Sequence, residues 1–201
     1  MSYSDFKTIE DIKKKFDVST VSSGSLFEDV EPIQTSEQLT ATLNENISLA
    51  LNINTEKARS EMIIAPVLIE VRKLLDRQIS LFSGLEFNVD KELGLAGYCD
   101  FILSKSPDQV YLVSPVVCVV EAKNENIKSG YAQCIAEMIA TEMFNAKRGN
   151  SGQFVLGVVT TGSNWKFLKL EQGTIHIDYA EYLISQIDKI LGIFVDVLKS
   201  I

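Results

Sequence analysis

The stretch Val116-Val117-Cys118-Val119-Val120-Glu121-Ala122-Lys123 limits the fold of this 201-residue chain more than any other. It opens as a run of β-branched and small apolar residues with no polar residue alternating among them. Such a run predicts a strand buried on both faces. The strand then ends on two opposite charges. Side chains alternate along a strand with a period of two, so Glu121 and Lys123 leave from the same face. A buried charge is costly unless it is paired, hydrogen-bonded or bound to a metal. The plain account is a strand-end ion pair, or a strand that reaches solvent at Glu121.

Leu95 to Ser104 predicts a second strand, with the carboxylate of Asp100 set in an otherwise apolar run. The polar turn from Ser104 to Asp108 is short enough for the two strands to pair as a hairpin. Asp100, Glu121 and Lys123 would then converge at one place. A Mg²⁺ ion suits such a place, because it takes oxygen ligands at ~2.0–2.1 Å, commonly one or two carboxylates with several waters. The carbonyl of Ala122 offers a third protein ligand. Lys123 beside the metal would orient a water, act as a base if its pKa were depressed, or stabilise the charge built up during phosphoryl transfer.

A strand Asp, a connection of roughly twenty residues, then Glu-x-Lys closing an apolar strand resembles the motif of the PD-(D/E)xK nuclease superfamily. The resemblance runs from about Glu61 to Leu170, with Cys99 standing where the name-giving Pro would be. It implies a restriction-endonuclease-like core within an α/β fold, a mixed central β-sheet flanked by helices. It also implies hydrolysis of DNA, rather than RNA, with Mg²⁺ or Mn²⁺ held by Asp100, Glu121 and Ala122. Members commonly add a Glu from the helix before the first core strand. Glu61 and Glu70 both lie on that helix, but nine residues at ~100° each put them on opposite faces. Glu61, at the polar end, is the expected ligand; the alternative is a solvated first-turn acid. A Gln on the helix after the Lys-bearing strand often supports the site, which implicates Gln133. Gln133 shares a face with Glu137 four residues on, and a solvated polar face is the alternative there.

The remaining segments predict helices over 8–16, capped by Thr8, and from Thr35 or Ser36 to about Asn52. A longer helix follows from 54–56 to about Gln78, kinked or broken at Pro66. Residues 18–34 show little periodicity and are expected to be a connection. Strands are expected over 81–89, 95–104, 110–123, 154–161, 165–170 and 174–178, with a helix from about Ile127 to Lys147. Residues 1–54 are expected to form an N-terminal helical extension packed on a nuclease-like α/β core of 55–201, the two making one structural domain by length.

Charge weighs against a free-standing nuclease, since phosphate binding favours basic surfaces. The formal net charge is −8, with 4 Lys/Arg against 9 Asp/Glu in residues 1–50 and 15 against 18 in the rest. No basic stripe appears. Two rival classes therefore stand beside the hydrolase: a non-catalytic nucleic-acid-binding or assembly subunit, and a structural protein whose charged cluster is an ion network. Cys99, Cys118 and Cys134 show no CxxC spacing and His176 stands alone, so a zinc site is not expected. Unpaired cysteines, no apolar signal core and no run of ~18 apolar residues predict a cytoplasmic protein with no membrane partner. The last helix, about Ala180 to Ser200, has one apolar stripe at 183, 184, 187, 190, 191, 194, 195 and 198. Ile193, Val197 and Ile201 add a second side. That side predicts a homodimer through this helix, unless the N-terminal 50 residues fold back to cover it.

Overall fold

In the computed structural model, which describes residues 1–22 and 24–200, the stretch Val116–Ala122 is a strand buried at every position. In chain order the strands are β1 (Ser19–Val21), β2 (Ser80–Glu86), β3 (Tyr98–Ser104), β4 (Val116–Ala122), β5 (Val155–Thr160), β6 (Asn164–Glu171), β7 (Thr174–Ile177) and β8 (Tyr182–Leu183). They form one eight-stranded sheet in the order β1-β7-β6-β5-β4-β3-β2, with β8 also on β6. The β4/β5 and β1/β7 pairs are parallel and the others antiparallel, so the sheet is mixed. The helices are α1 (Ile9–Lys15), α2 (Glu37–Ile53), α3 (Glu56–Arg59), α4 (Ala65–Leu74), α5 (Tyr131–Ala146) and α6 (Ile187–Ser200). The fold is α/β, as the pattern of elements predicts.

Apolar side chains divide between the two faces of the sheet. Ile102, Val119 and Val159 pack with Ile135, Met138 and Ile139 of α5, and Tyr3, Phe6 and Ile12 complete that side. Phe101, Val120 and Val158 on the opposite face pack with residues of α2, α4 and α6. β4, central and covered on both sides, can hold a continuous apolar run because no part of it meets water.

The expected long helix is present from Glu56 to Leu74, but Ser60–Ile64 is a π-helical stretch between α3 and α4. Ala65 N–H bonds back to Ser60 O, five residues away. Pro66 has no N–H for the carbonyl of Met62, its α-helical partner. Asn46 Nδ2 of α2 donates to that carbonyl instead, at 3.0 Å. The proline is therefore absorbed by a local widening and a borrowed donor.

Three segments differ from the sequence expectation. The strand expected from Val110 begins only at Val116, after an irregular connection over 105–115. Residues 19–21, within the expected connection, form β1 and add a parallel strand to β7. Three residues carry too little pattern to register as a strand. The final helix begins at Ile187 rather than near Ala180, because Tyr182 and Leu183 pair with Trp165 and Asn164 of β6. Asp178, fully buried, fixes this turn by accepting from Leu26 N (3.1 Å), Ala180 N (3.0 Å) and the Tyr182 hydroxyl (3.0 Å).

Asp188 and Lys189 of α6 tie down the same 25–35 segment. Ile33 N–H donates to Asp188 O at 2.8 Å, and Lys189 Nζ donates to the carbonyls of Glu28 and Val30. Ile193 and Val197 are buried within the chain, in the cluster that α6 shares with α4, while the 25–35 segment lies along the Gly192, Val195 and Asp196 side. The second apolar side is thus covered inside the chain, though not by that segment; Ile201 lies outside the described residues. No helix among the described residues is long and apolar enough to cross a membrane.

The seat of the 25–35 segment on α6 depends on Gly192, where an added Cβ would collide with the carbonyl oxygen of Glu31. Gly→Ala inside a helix ordinarily stabilises by roughly 0.5–1 kcal/mol. Gly192→Ala is expected to reverse that sign, costing about 1–3 kcal/mol through overpacking. Urea unfolding of the variant checks it, and a stabilised protein would contradict the packing described.

Candidate functional site

β3 and β4 pair antiparallel with Phe101 opposite Val120 and Ile102 opposite Val119. Continuing that register one step sets Asp100 against Glu121. The ladder stops at Val120, which leaves the next outward-facing N–H of β4, that of Ala122, without a strand carbonyl. Asp100 Oδ2 accepts it at 2.7 Å. On the other edge, Lys123 N–H continues the β4/β5 ladder to Thr160 O at 2.8 Å. The backbone is thus held on both sides where the charged side chains leave it.

Glu121 and Lys123 do leave from one face, the face covered by α5. Lys123 Nζ donates to Glu121 Oε1 and, at 3.4 Å, to Gln133 Oε1. Gln133 Nε2 donates to Glu137 Oε1 one turn further along α5, at 3.2 Å. Gly130, just before α5, makes room for the lysine. A Cβ there would lie 2.6 Å from Val159 Cγ1 and 3.2 Å from Lys123 Cε and Cγ. Asp100, Glu121, Lys123 and Gln133 are therefore brought to one end of the sheet.

Burial sets the protonation of this group. Glu121 is 1% exposed and Glu137 is fully buried, and Oε2 of each carboxyl lacks a hydrogen-bond partner. Desolvation raises the pKa of Glu137 well above the usual carboxyl range, and the charge of Glu121 raises it further. Desolvation and Asp100 also raise Glu121, with Lys123 and Glu137 opposing. The two carboxyls interact, and the directions of their shifts fit a protonated Glu137 donating to an ionised Glu121. Asp100 is raised by desolvation, against the Ala122 N–H and Lys123. For Lys123, burial lowers the pKa, but Glu121, Glu56 and Asp100 outweigh it and the net shift is upward. Lys123 is a charged donor at neutral pH, so of the three roles open to it from sequence, the base is disfavoured.

The helix acids are distributed differently from one another. Glu61 is exposed and ion-paired with Lys57 at 2.9 Å. Glu56 lines the same cleft of about 250 Å³ as Glu61, together with Asp100 and Gly84. Desolvation raises the Glu56 pKa, with Lys123 lowering it and Asp100 raising it, so its charge reaches the site. Glu70 is buried elsewhere, accepting from Ser36 N and paired with Lys73 at 3.5 Å. Glu61 therefore borders the cleft that Asp100 lines and Glu70 does not, while Glu56, also at that cleft, carries no periodic signal in the sequence. Gly130 and the role of Glu137 were also invisible, since both depend on how closely α5 approaches the sheet.

Among the described residues no group of three or more His, Cys, Asp or Glu side chains is arranged to hold a metal. The oxygen donors that do converge are the carboxylates of Asp100 and Glu121, beside the Ala122 peptide. Two carboxylates suit Mg²⁺ or Mn²⁺, which complete their shells with water, and the bare Oε2 of Glu121 is a donor of the right kind. No family model, curated protein or solved structure matches this chain.

Glu137 keeps its proton in the folded chain at pH values where the unfolded chain has lost it. Folding then takes up a proton, so this group's contribution to stability falls as pH rises above the unfolded value, about 4.3. Glu137→Gln removes that dependence while keeping a donor toward Glu121. With a chelator present, its melting temperature should exceed wild type by about 3 °C at pH 8, the shift given by about 1 kcal/mol in a chain of this size. The gain should vanish near pH 4. Equal melting curves at both pH values would contradict a buried, protonated Glu137.

Proposed function

We propose that the chain is a metal-dependent phosphodiester hydrolase on a restriction-endonuclease-like core, acting on DNA in preference to RNA. The observation that carries the reading is the convergence of Asp100, Glu121 and Lys123 at the end of β4. The order of elements supports it: a helix, the antiparallel β2/β3/β4 meander, then α5 and β5 parallel to β4. Asp100 and Glu121, with the Ala122 carbonyl, would hold Mg²⁺ or Mn²⁺, and Glu56 or Glu61 stands across the cleft to add an outer carboxylate. The bound ion supplies Lewis-acid polarisation of the phosphodiester.

The chain's own residues divide the remaining work. Lys123, charged and held between Glu121 and Gln133, places a positive end where negative charge grows on the phosphoryl oxygens. The Ala122 N–H fixes the rotamer of Asp100. Gln133 and Glu137 hold Lys123 and Glu121 against α5, so neither can swing into solvent. The raised pKa of Asp100 and Glu121 means that both must lose protons before they hold a cation well, and activity should rise with pH through the upper part of the carboxyl range.

Two variants test the assignment. Asp100→Ala should abolish Mn²⁺ binding, measured by calorimetry, together with cleavage. Lys123→Ala should bind Mn²⁺ yet lose about 10²–10³ in kcat, the size of a lost transition-state donor. Cleavage equal in wild type and Lys123→Ala would identify a contaminating nuclease. If wild type cuts no form of DNA or RNA with either metal, the non-catalytic binding or assembly subunit becomes the better reading, which the net charge of −8 already favours.

A further inference from the structure

Arg59 is 7% exposed, yet its guanidinium is paired with no carboxylate among the described residues. Its partners are neutral. Nε donates to Asn124 Oδ1 at 3.1 Å, Nη1 to Thr161 O at 2.9 Å and Nη2 to Asn54 Oδ1 at 3.0 Å. These use three of the five N–H groups of an arginine. A buried cation without a counter-charge is expensive, and amide oxygens offset that only in part.

Arg59 lines a cleft of about 360 Å³. The cleft lies at the carboxyl ends of the parallel strands β4 and β5, where open α/β sheets bind ligands. Asn124 and Asn126 reach it from the loop after β4, and Thr161 and Ser163 from the loop after β5. Lys128, exposed at the rim, adds a second cation that has no ion pair among the described residues. Glu125 and Glu181 also line it, but both are exposed and each accepts an asparagine amide, from Asn54 at 2.8 Å and Asn164 at 2.6 Å. Exposed charges are screened by water and salt far more than a buried one. The formal charges around the cleft balance, Arg59 and Lys128 against Glu125 and Glu181, but Arg59 is the buried one of the four, so positive charge is concentrated at the floor.

We propose that this cleft binds a backbone phosphate of the nucleic acid, one flanking the phosphodiester at Asp100 and Glu121. The proposal rests on the hydrolase reading for its substrate. Asn124 follows Lys123 directly, so one loop borders both places. A guanidinium offers parallel N–H groups that match two phosphate oxygens, and Lys128 adds a point charge. The phosphate would supply the counter-charge that Arg59 lacks.

The test is the salt dependence of binding, measured by anisotropy of a short fluorescent DNA hairpin with a single-stranded tail, in Ca²⁺. Each phosphate contact contributes about 0.7–0.9 to the slope of log K against log salt. Lys128→Ala and Arg59→Gln should each lower the slope by about that amount, whereas Lys105→Ala, an exposed lysine outside the cleft, should leave it unchanged. Circular dichroism establishes that each variant is folded. If Arg59→Gln is not, Lys128→Ala decides. An unchanged slope in the folded variants, or no binding by wild type, overturns the proposal. Cleavage by wild type in Mn²⁺ is scored separately. Cleavage with unchanged slopes would sink the cleft alone, and lowered slopes without cleavage would keep the cleft and sink hydrolysis.

Discussion

Three acidic side chains, Asp100, Glu121 and Glu137, crowd the buried end of β4, where Lys123 pairs with Glu121 and reaches Glu137 only through Gln133. Two unit charges 4 Å apart interact by about 4 kcal/mol at an effective dielectric of 20, so three ionised carboxyls around one cation cannot all persist there. The strain is relieved by a proton on Glu137, the group farthest from water and raised most plainly by burial. Much of the local structure follows from that. α5 has to come close enough to present Gln133 and Glu137, which is why Gly130 opens the helix. β3 has to end its ladder at Val120, so that Asp100 can take the N–H of Ala122.

What could be read from the sequence was what is carried by runs and periods. The unbroken apolar run of β4 gave away a central strand, and the period of two placed Glu121 and Lys123 on one face. Strand pairing then brought Asp100 to them. The α5 stripe and the caps at Thr8 and Ser36 were legible for the same reason. What could not be read depends on contacts between distant segments. Glu56 meets the site only because the start of α3 packs across the cleft from Asp100. Arg59 is buried only because two loops, more than sixty and a hundred residues later, close over it.

The N-terminal residues show the same division. Their helices were apparent, but β1 and the 25–35 segment lack any repeating pattern and acquire structure from what they cover. Asp178 and Asp188 accept backbone N–H groups from that segment, and Lys189 donates to its carbonyls. Each of these polar residues looks from sequence like an ordinary surface charge. This segment covers the Gly192 side of α6, and the Ile193 and Val197 side is buried in the cluster shared with α4, so the excess of apolar residues on this helix is taken up within the chain.

An ion network built only for stability would be a poor use of this position. Burying carboxyls against one lysine raises their pKa values, and each raised acid lowers stability at neutral pH. Apolar residues of similar volume commonly serve a fold as well as a buried ion pair does, or better. A cation between Asp100 and Glu121 would reverse the balance, because it favours the ionised carboxylates that burial disfavours. The same reasoning applies to Arg59, a buried cation with neutral partners a loop away from Lys123. Carboxyls in excess of the one lysine they surround, and a buried guanidinium without a counter-charge beside them, are each costly alone. On the proposed reading both costs would be offset by one kind of ligand, a phosphodiester chain that arrives with a divalent cation.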